Sequence, residues 1–182
     1  MSNTSITNQI KAKLIAISEI GDKSQDSDDE KLEHHFLIYM GLLMSVGGII
    51  WGSISFYYRI FIPSIFPFGY TILTIFNFTY YYYSKNFRLT RFLQVLISLL
   101  LPFVFQWSLG GFVPSGSVML WAMLALLGSL TFQDTKLSMK WLVAYIIFTI
   151  FSGLIDSIVK EFKVEVPPQT ITLFFVLNIV IC

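Results

Sequence analysis

Phe36-Leu37-Ile38-Tyr39-Met40-Gly41-Leu42-Leu43-Met44-Ser45-Val46-Gly47-Gly48-Ile49-Ile50-Trp51-Gly52-Ser53-Ile54-Ser55-Phe56-Tyr57-Tyr58 is the run that decides the fold. It holds no Asp, Glu, Lys, Arg or His, and Arg59 closes it. At ~1.5 Å per residue it reaches about 34 Å as a helix, enough to cross a ~30 Å hydrocarbon layer with some tilt. A retained membrane span is the reading, because the acidic stretch Gln25-Asp26-Ser27-Asp28-Asp29-Glu30 ahead of it suits no cleaved leader.

The rest of the chain repeats this chemistry. Of 182 residues, 55% are hydrophobic, 17% aromatic and only 13% charged, against roughly one-quarter charged in soluble domains. The expected fold is therefore all-α, a polytopic transmembrane helical bundle. A second span runs from about Phe66 to the aromatic end Tyr80-Tyr81-Tyr82-Tyr83, with Pro63 and Pro67 favouring a short re-entrant turn before it. Spans three to five read as Phe92 to Leu109, Pro114 to Phe132 and Met139 to Ile155, the last two separated by Gln133-Asp134-Thr135-Lys136. A polar connection, Asp156 to Thr170, leads into Ile171 to Cys182, which at about 18 Å is too short to cross. Five complete spans and a truncated sixth are thus expected over residues 36–182.

Residues 1–35 form a polar segment in which Ile6, Ile10, Leu14, Ile17 and Ile20 recur at helical spacing. This predicts a short amphipathic cytoplasmic helix with Ser5 as N-cap, Gly21 as its stop, and Lys11 and Lys13 beside the stripe, suited to a membrane surface or a partner. Lys and Arg set the orientation. Lys11, Lys13, Lys23 and Lys31, then Lys85, Arg88 and Arg91, then Lys136 and Lys140 fall on one side, against Arg59, Lys160 and Lys163 on the other. The N-terminus is therefore expected in the cytoplasm.

Several function classes are excluded at this level. A net charge of +1 with scattered basic residues offers no nucleic-acid surface. The lone Cys182 gives neither disulfide nor thiolate metal site. His34 and His35 are adjacent, so on a helix they point about 100° apart and read as interfacial anchors rather than a metal pair. Asp134 and Asp156 lie at span ends and read as solvated loop carboxylates. Within the spans the strongly polar side chains are Asn77, Gln94, Gln106 and Asn178, fewer than a transporter needs. No catalytic constellation, metal site or cofactor is expected in this chain.

Two patterns remain as candidate sites. Gly48-Ile49-Ile50-Trp51-Gly52 is a small-xxx-small step, with Gly41 and Ser45 on a neighbouring ridge, and implies close helix packing, within the chain or in a homodimer. Gln106-Trp107-Ser108-Leu109-Gly110-Gly111-Phe112-Val113-Pro114-Ser115-Gly116-Ser117-Val118-Met119-Leu120-Trp121-Ala122 joins spans three and four through a nearly uncharged turn flanked by Trp107 and Trp121. A tight extracytoplasmic hairpin is the favoured reading, a site sensing a small ligand or lipid the sharper one.

Together with the acidic lead-in Ile20 to Glu30 and the first span, this turn resembles the six-span N-terminal membrane region that precedes the catalytic domain in many bacterial class III adenylate or guanylate cyclases. The likeness covers most of the chain. It implies a bacterial inner-membrane anchor and receptor region, dimeric, with a cytoplasmic output domain beyond this chain, which stops inside the sixth helix. The family's metal-binding aspartates, base-recognising Lys and Asp, and transition-state Asn and Arg have no matching position here. Similar regions also precede kinase and phosphatase outputs, and a free-standing small transporter is the remaining alternative.

Overall fold

A computed structural model describes residues 3–131, 135–161 and 165–181. The expectations on Asp134, Lys163 and Cys182 lie outside these residues. Every regular element among them is helical: α1 (Asn3–Ser18), α2 (Asp28–Tyr57), α3 (Phe61–Ser84), α4 (Phe87–Ser108), a 3-10 turn (Val118–Leu120), α5 (Trp121–Thr131), α6 (Thr135–Glu161) and α7 (Pro168–Ile181). Among them α2, α3, α4 and most of α6 are long and apolar enough to cross a membrane.

The apolar run of α2 begins at Phe36, yet the helix starts two turns earlier, because Ser27 and Glu30 form a reciprocal capping box. Asp28, Asp29 and Glu30 place negative charge at the positive end of the helix dipole. The backbone and hydroxyl of Ser27 both bond the Glu30 carboxylate, ahead of the apolar run, and hold its pKa below the ordinary value.

α3 corrects the expected re-entrant turn. The helix is continuous from Phe61, since Pro63 falls in its first turn, where no N–H is needed, and Pro67 is accommodated inside. Only the short link Tyr58 to Ile60 joins α2 to α3, with Arg59 in the left-handed region at φ 62°. The fourth expected span is also shorter in helical length. Pro114 belongs to a series of turns over residues 109–117, and helix begins only at Val118. Gly110, Gly111 and Gly116 there have φ of 96°, 102° and 58°, backbone states that a side chain disfavours. The N-terminal helix runs through Ser5 rather than being capped by it.

α2 packs along α3 and also meets α4 and α5; α3 packs on α4, α4 on α5, and α5 on α6. One apolar cluster (Met44, Trp51, Tyr70, Phe105, Trp121 and Phe174 at its centre) joins α2, α3, α4, α5 and α7. A second, around Leu99, Phe103, Leu126 and Trp141, joins α4, α5 and α6. The outer face is as apolar as the interior: Ile62, Ile75 and Phe76 on α3 and Ile147, Ile150 and Leu154 on α6 are more than half exposed. A water-soluble fold does not present such surfaces over whole helices, whereas a bilayer does not penalise them.

Candidate functional site

The glycine ridge of α2 is packed within the chain. A Cβ on Gly41 would lie 2.4 Å from the Phe78 ring, one on Gly48 2.6 Å from the Pro67 carbonyl oxygen, and one on Gly52 2.8 Å from the Phe68 ring. All three neighbours belong to α3. The Ser45 hydroxyl donates to the Gly41 carbonyl at 2.7 Å, while the Ser45 carbonyl accepts from the Thr71 hydroxyl at 3.0 Å. Gly47, which the spacing pattern passed over, takes the edge of Trp121, with a Cβ placed 2.6 Å from that ring.

The four interior amides separate into three environments. Asn77 and Gln94 come together between α3 and α4. Asn77 Nδ2 donates to the Thr90 carbonyl at 3.0 Å and to Gln94 Oε1 at 3.1 Å, and Gln94 Nε2 donates to the Tyr70 hydroxyl at 2.9 Å and the Thr74 hydroxyl at 3.1 Å. Tyr70 in turn bonds Ser98 at 2.9 Å. Asn178, on α7, bonds the glycine turn. Gln106 is fully buried, and neither of its amide atoms has a hydrogen-bond partner among the described residues.

The turn itself is fastened from three helices. From α4, the Gln106 carbonyl accepts from Gly111 N at 3.0 Å, the bond that closes the chain after the helix. From α6, Asp156 Oδ1 accepts from Phe112 N at 3.2 Å, with Lys160 one turn on as its ion-pair partner. A Cβ on Gly111 would stand 2.2 Å from that carboxylate oxygen, so glycine is needed there for space as well as for φ. Asp156 is thus a helical residue bound to the turn, not the solvated loop carboxylate its position suggests. Trp107 Nε1 donates to the Ser152 hydroxyl at 2.8 Å, again to α6.

From α7, Asn178 Nδ2 donates to the carbonyls of Gly116 at 2.8 Å and Ser115 at 3.3 Å, while its Oδ1 accepts from Trp121 Nε1 at 2.8 Å. Gly116 packs backbone to backbone on α7, where a Cβ would come within 2.5 Å of Phe175 N. One buried amide therefore satisfies the turn and the tryptophan that follows it, and ties both to the last helix.

Two hollows adjoin this assembly. A cavity of about 50 Å³ is lined by Gly47, Gly48, Trp51, Tyr70, Phe105 and Trp121, among others. It is far below the ~300–1,000 Å³ of ordinary ligand pockets. A groove of about 300 Å³ lies between the turn and α7, bounded by Phe112, Val113, Gly116, Ile171 and Phe175. Its walls are mainly apolar, with the hydroxyl residues Ser117 and Thr172 among them, so it suits an acyl chain or another largely apolar group rather than a charged metabolite.

Comparisons with protein-family models, curated proteins and solved structures return no match to this chain. Amides, hydroxyls and indoles linked by hydrogen bonds can hold helices in register and transmit displacement.

Proposed function

We propose that this chain is the membrane-anchoring and regulatory region of a bacterial class III adenylate or guanylate cyclase, and makes no cyclic nucleotide by itself. The resemblance of Gln106 to Ala122 to that family's membrane region suggests the output. The single observation that carries a regulatory role is the triple bond set of Asn178, which couples the turn to the helix nearest the end of the chain. In this reading α7 leads into the cytoplasmic output domain, and whatever occupies the apolar groove at the turn shifts α7.

The same reading takes the bundle as five spans and the beginning of a sixth in the bacterial inner membrane, with the N-terminus in the cytoplasm. The Lys and Arg distribution supports that orientation. α5 together with its 3-10 turn is short for a ~30 Å layer, and this reading takes the turns of residues 109–117 to lie at its outer surface. α6 and α7 hydrogen-bond this turn at Phe112, Ser115 and Gly116. A homodimer would place two output domains together, and the exposed faces of α3 and α6 remain available for it.

Sequencing the reading frame beyond Cys182 tests the assignment of the output. A class III cyclase domain in frame is expected. A kinase or phosphatase domain would keep the regulatory role and replace the reaction; a stop codon with no output domain would overturn both.

A further inference from the structure

At the opposite end of the bundle, the connection after α1 folds back onto the first turns of α2. There, we propose, Asp22, Asp26 and His34 form a binding site for one divalent cation of the zinc type. His34 Nδ1 lies 3.3 Å from Asp22 Oδ1 and 3.7 Å from Asp26 Oδ2, and the three ligand atoms all fall within 4.8 Å of one another. A tetrahedral ion with bonds of ~2.0–2.1 Å holds its ligand atoms about 3.3 Å apart, near the two separations from His34, and binding would draw the two carboxylates together. The imidazole disfavours calcium and magnesium, which take oxygen ligands, and favours a transition-series ion.

The surroundings prepare these donors. His35 Nε2 sits 2.9 Å from Asp22 Oδ2, so the neighbouring histidine holds one carboxylate oxygen and leaves the other to the ion. Adjacent histidines can thus serve one site without facing the same way, because one works through Nδ1 and the other through Nε2. Lys23 N donates to Asp26 Oδ2 at 2.7 Å and fixes that side chain.

An independent observation points to the same place. Tyr81, near the end of α3, is fully buried, and its hydroxyl has no hydrogen-bond partner among the described residues. Its tip rests against Gly21, where a Cβ would lie 2.1 Å from the hydroxyl oxygen, immediately before Asp22. The Tyr81 ring meets His34 edge-on at 5.9 Å. The hydroxyl is a buried donor, unpartnered among the described residues, beside Asp22 and His34. Asp26 and His34 also line an open polar cavity of about 760 Å³, where Glu30 and Glu33 face the basic Lys23, Lys85, Arg88 and Arg91, so these two donors are reachable from outside.

The test uses the complete chain in detergent, with Co²⁺ as the spectroscopic probe and Zn²⁺ as its competitor. We expect one Co²⁺ per chain with the intense ligand-field bands of tetrahedral coordination, displaced by Zn²⁺. His34 and His35 are the chain's two histidines, so Zn²⁺ protection against diethyl pyrocarbonate reports directly on this site. His35→Phe should weaken Zn²⁺ affinity by about 10- to 100-fold, as loss of an orienting partner does; Asp26→Asn and His34→Gln should weaken it at least as much. Absence of ligand-field bands and of histidine protection in the unaltered chain would overturn the site, whatever the variants do. So would unchanged affinity in folded Asp26→Asn and His34→Gln, and histidine–carboxylate hydrogen bonding alone would then remain.

Discussion

Gln106 is the residue at which the fold's accounting fails to balance. A fully buried amide without partners costs ~1–3 kcal/mol in desolvation, and an apolar side chain of similar shape avoids that cost. Gln106→Leu is therefore expected to stabilise the bundle by about 1–3 kcal/mol in a reversible unfolding measurement in detergent; a loss of stability of that size would mean that Gln106 is hydrogen-bonded in the membrane. Sequence alone marks Gln106 as unusual, because a glutamine among Phe and Leu stands out. It gives no means of distinguishing Gln106 from Gln94, which is satisfied on both ends of its amide by residues 17 to 24 positions away. The histidine pair has the same difficulty. Asp22 reaches both rings from 12 and 13 residues upstream, a relation that helical geometry within α2 does not contain.

At the scale of elements, hydropathy was enough to find the long helices, and their ends depended on local chemistry. The signature Ser27-Asp28-Asp29-Glu30 was present as a capping box but masked by its own charges, which hydropathy counts against a span. The fourth apolar run was overextended for the opposite reason. Pro114 opens an apolar run, yet Gly111 before it and Gly116 after it, both at positive φ, fold it into turns. Pro63 reads as a helix breaker from sequence because its place in a first turn is visible only once the helix start is known. Between α3 and α4 the Asn77–Gln94 bond makes a sharp prediction. A double-mutant cycle with Asn77→Leu and Gln94→Leu should give a coupling of about 0.6–1.7 kcal/mol, the range of interhelical bonds in membranes. Strict additivity of the two losses would show that the amides do not interact.

The whole molecule is apolar outside, polar in a few buried places, and fastened at both ends. At one end Asp22, Asp26 and the two histidines join the α1 connection to α2; at the other, Asp156 and Asn178 join α6 and α7 to the turn. The orientation proposed for these ends can be read in whole bacteria. Val113, well exposed in the turn, should react as Val113→Cys with a membrane-impermeant maleimide added outside the inner membrane, while a tag at the N-terminus stays protected from external protease. The reverse pattern would place the histidine end outside and remove the α7 output from the cytoplasm.

The central claim is that the turn and α7 act as one coupled unit that governs a cyclase output. Its most direct measurement is the rate of cyclic-nucleotide formation in membranes containing the full reading frame, with and without Asn178→Leu. Cutting the bonds to Ser115, Gly116 and Trp121 should change that rate by about 5-fold or more, the lower bound for coupling free energies of 1–3 kcal/mol between sites. An unchanged rate, in a variant that inserts into the membrane and keeps its helix content, would contradict the claim and leave the bundle as an anchor alone.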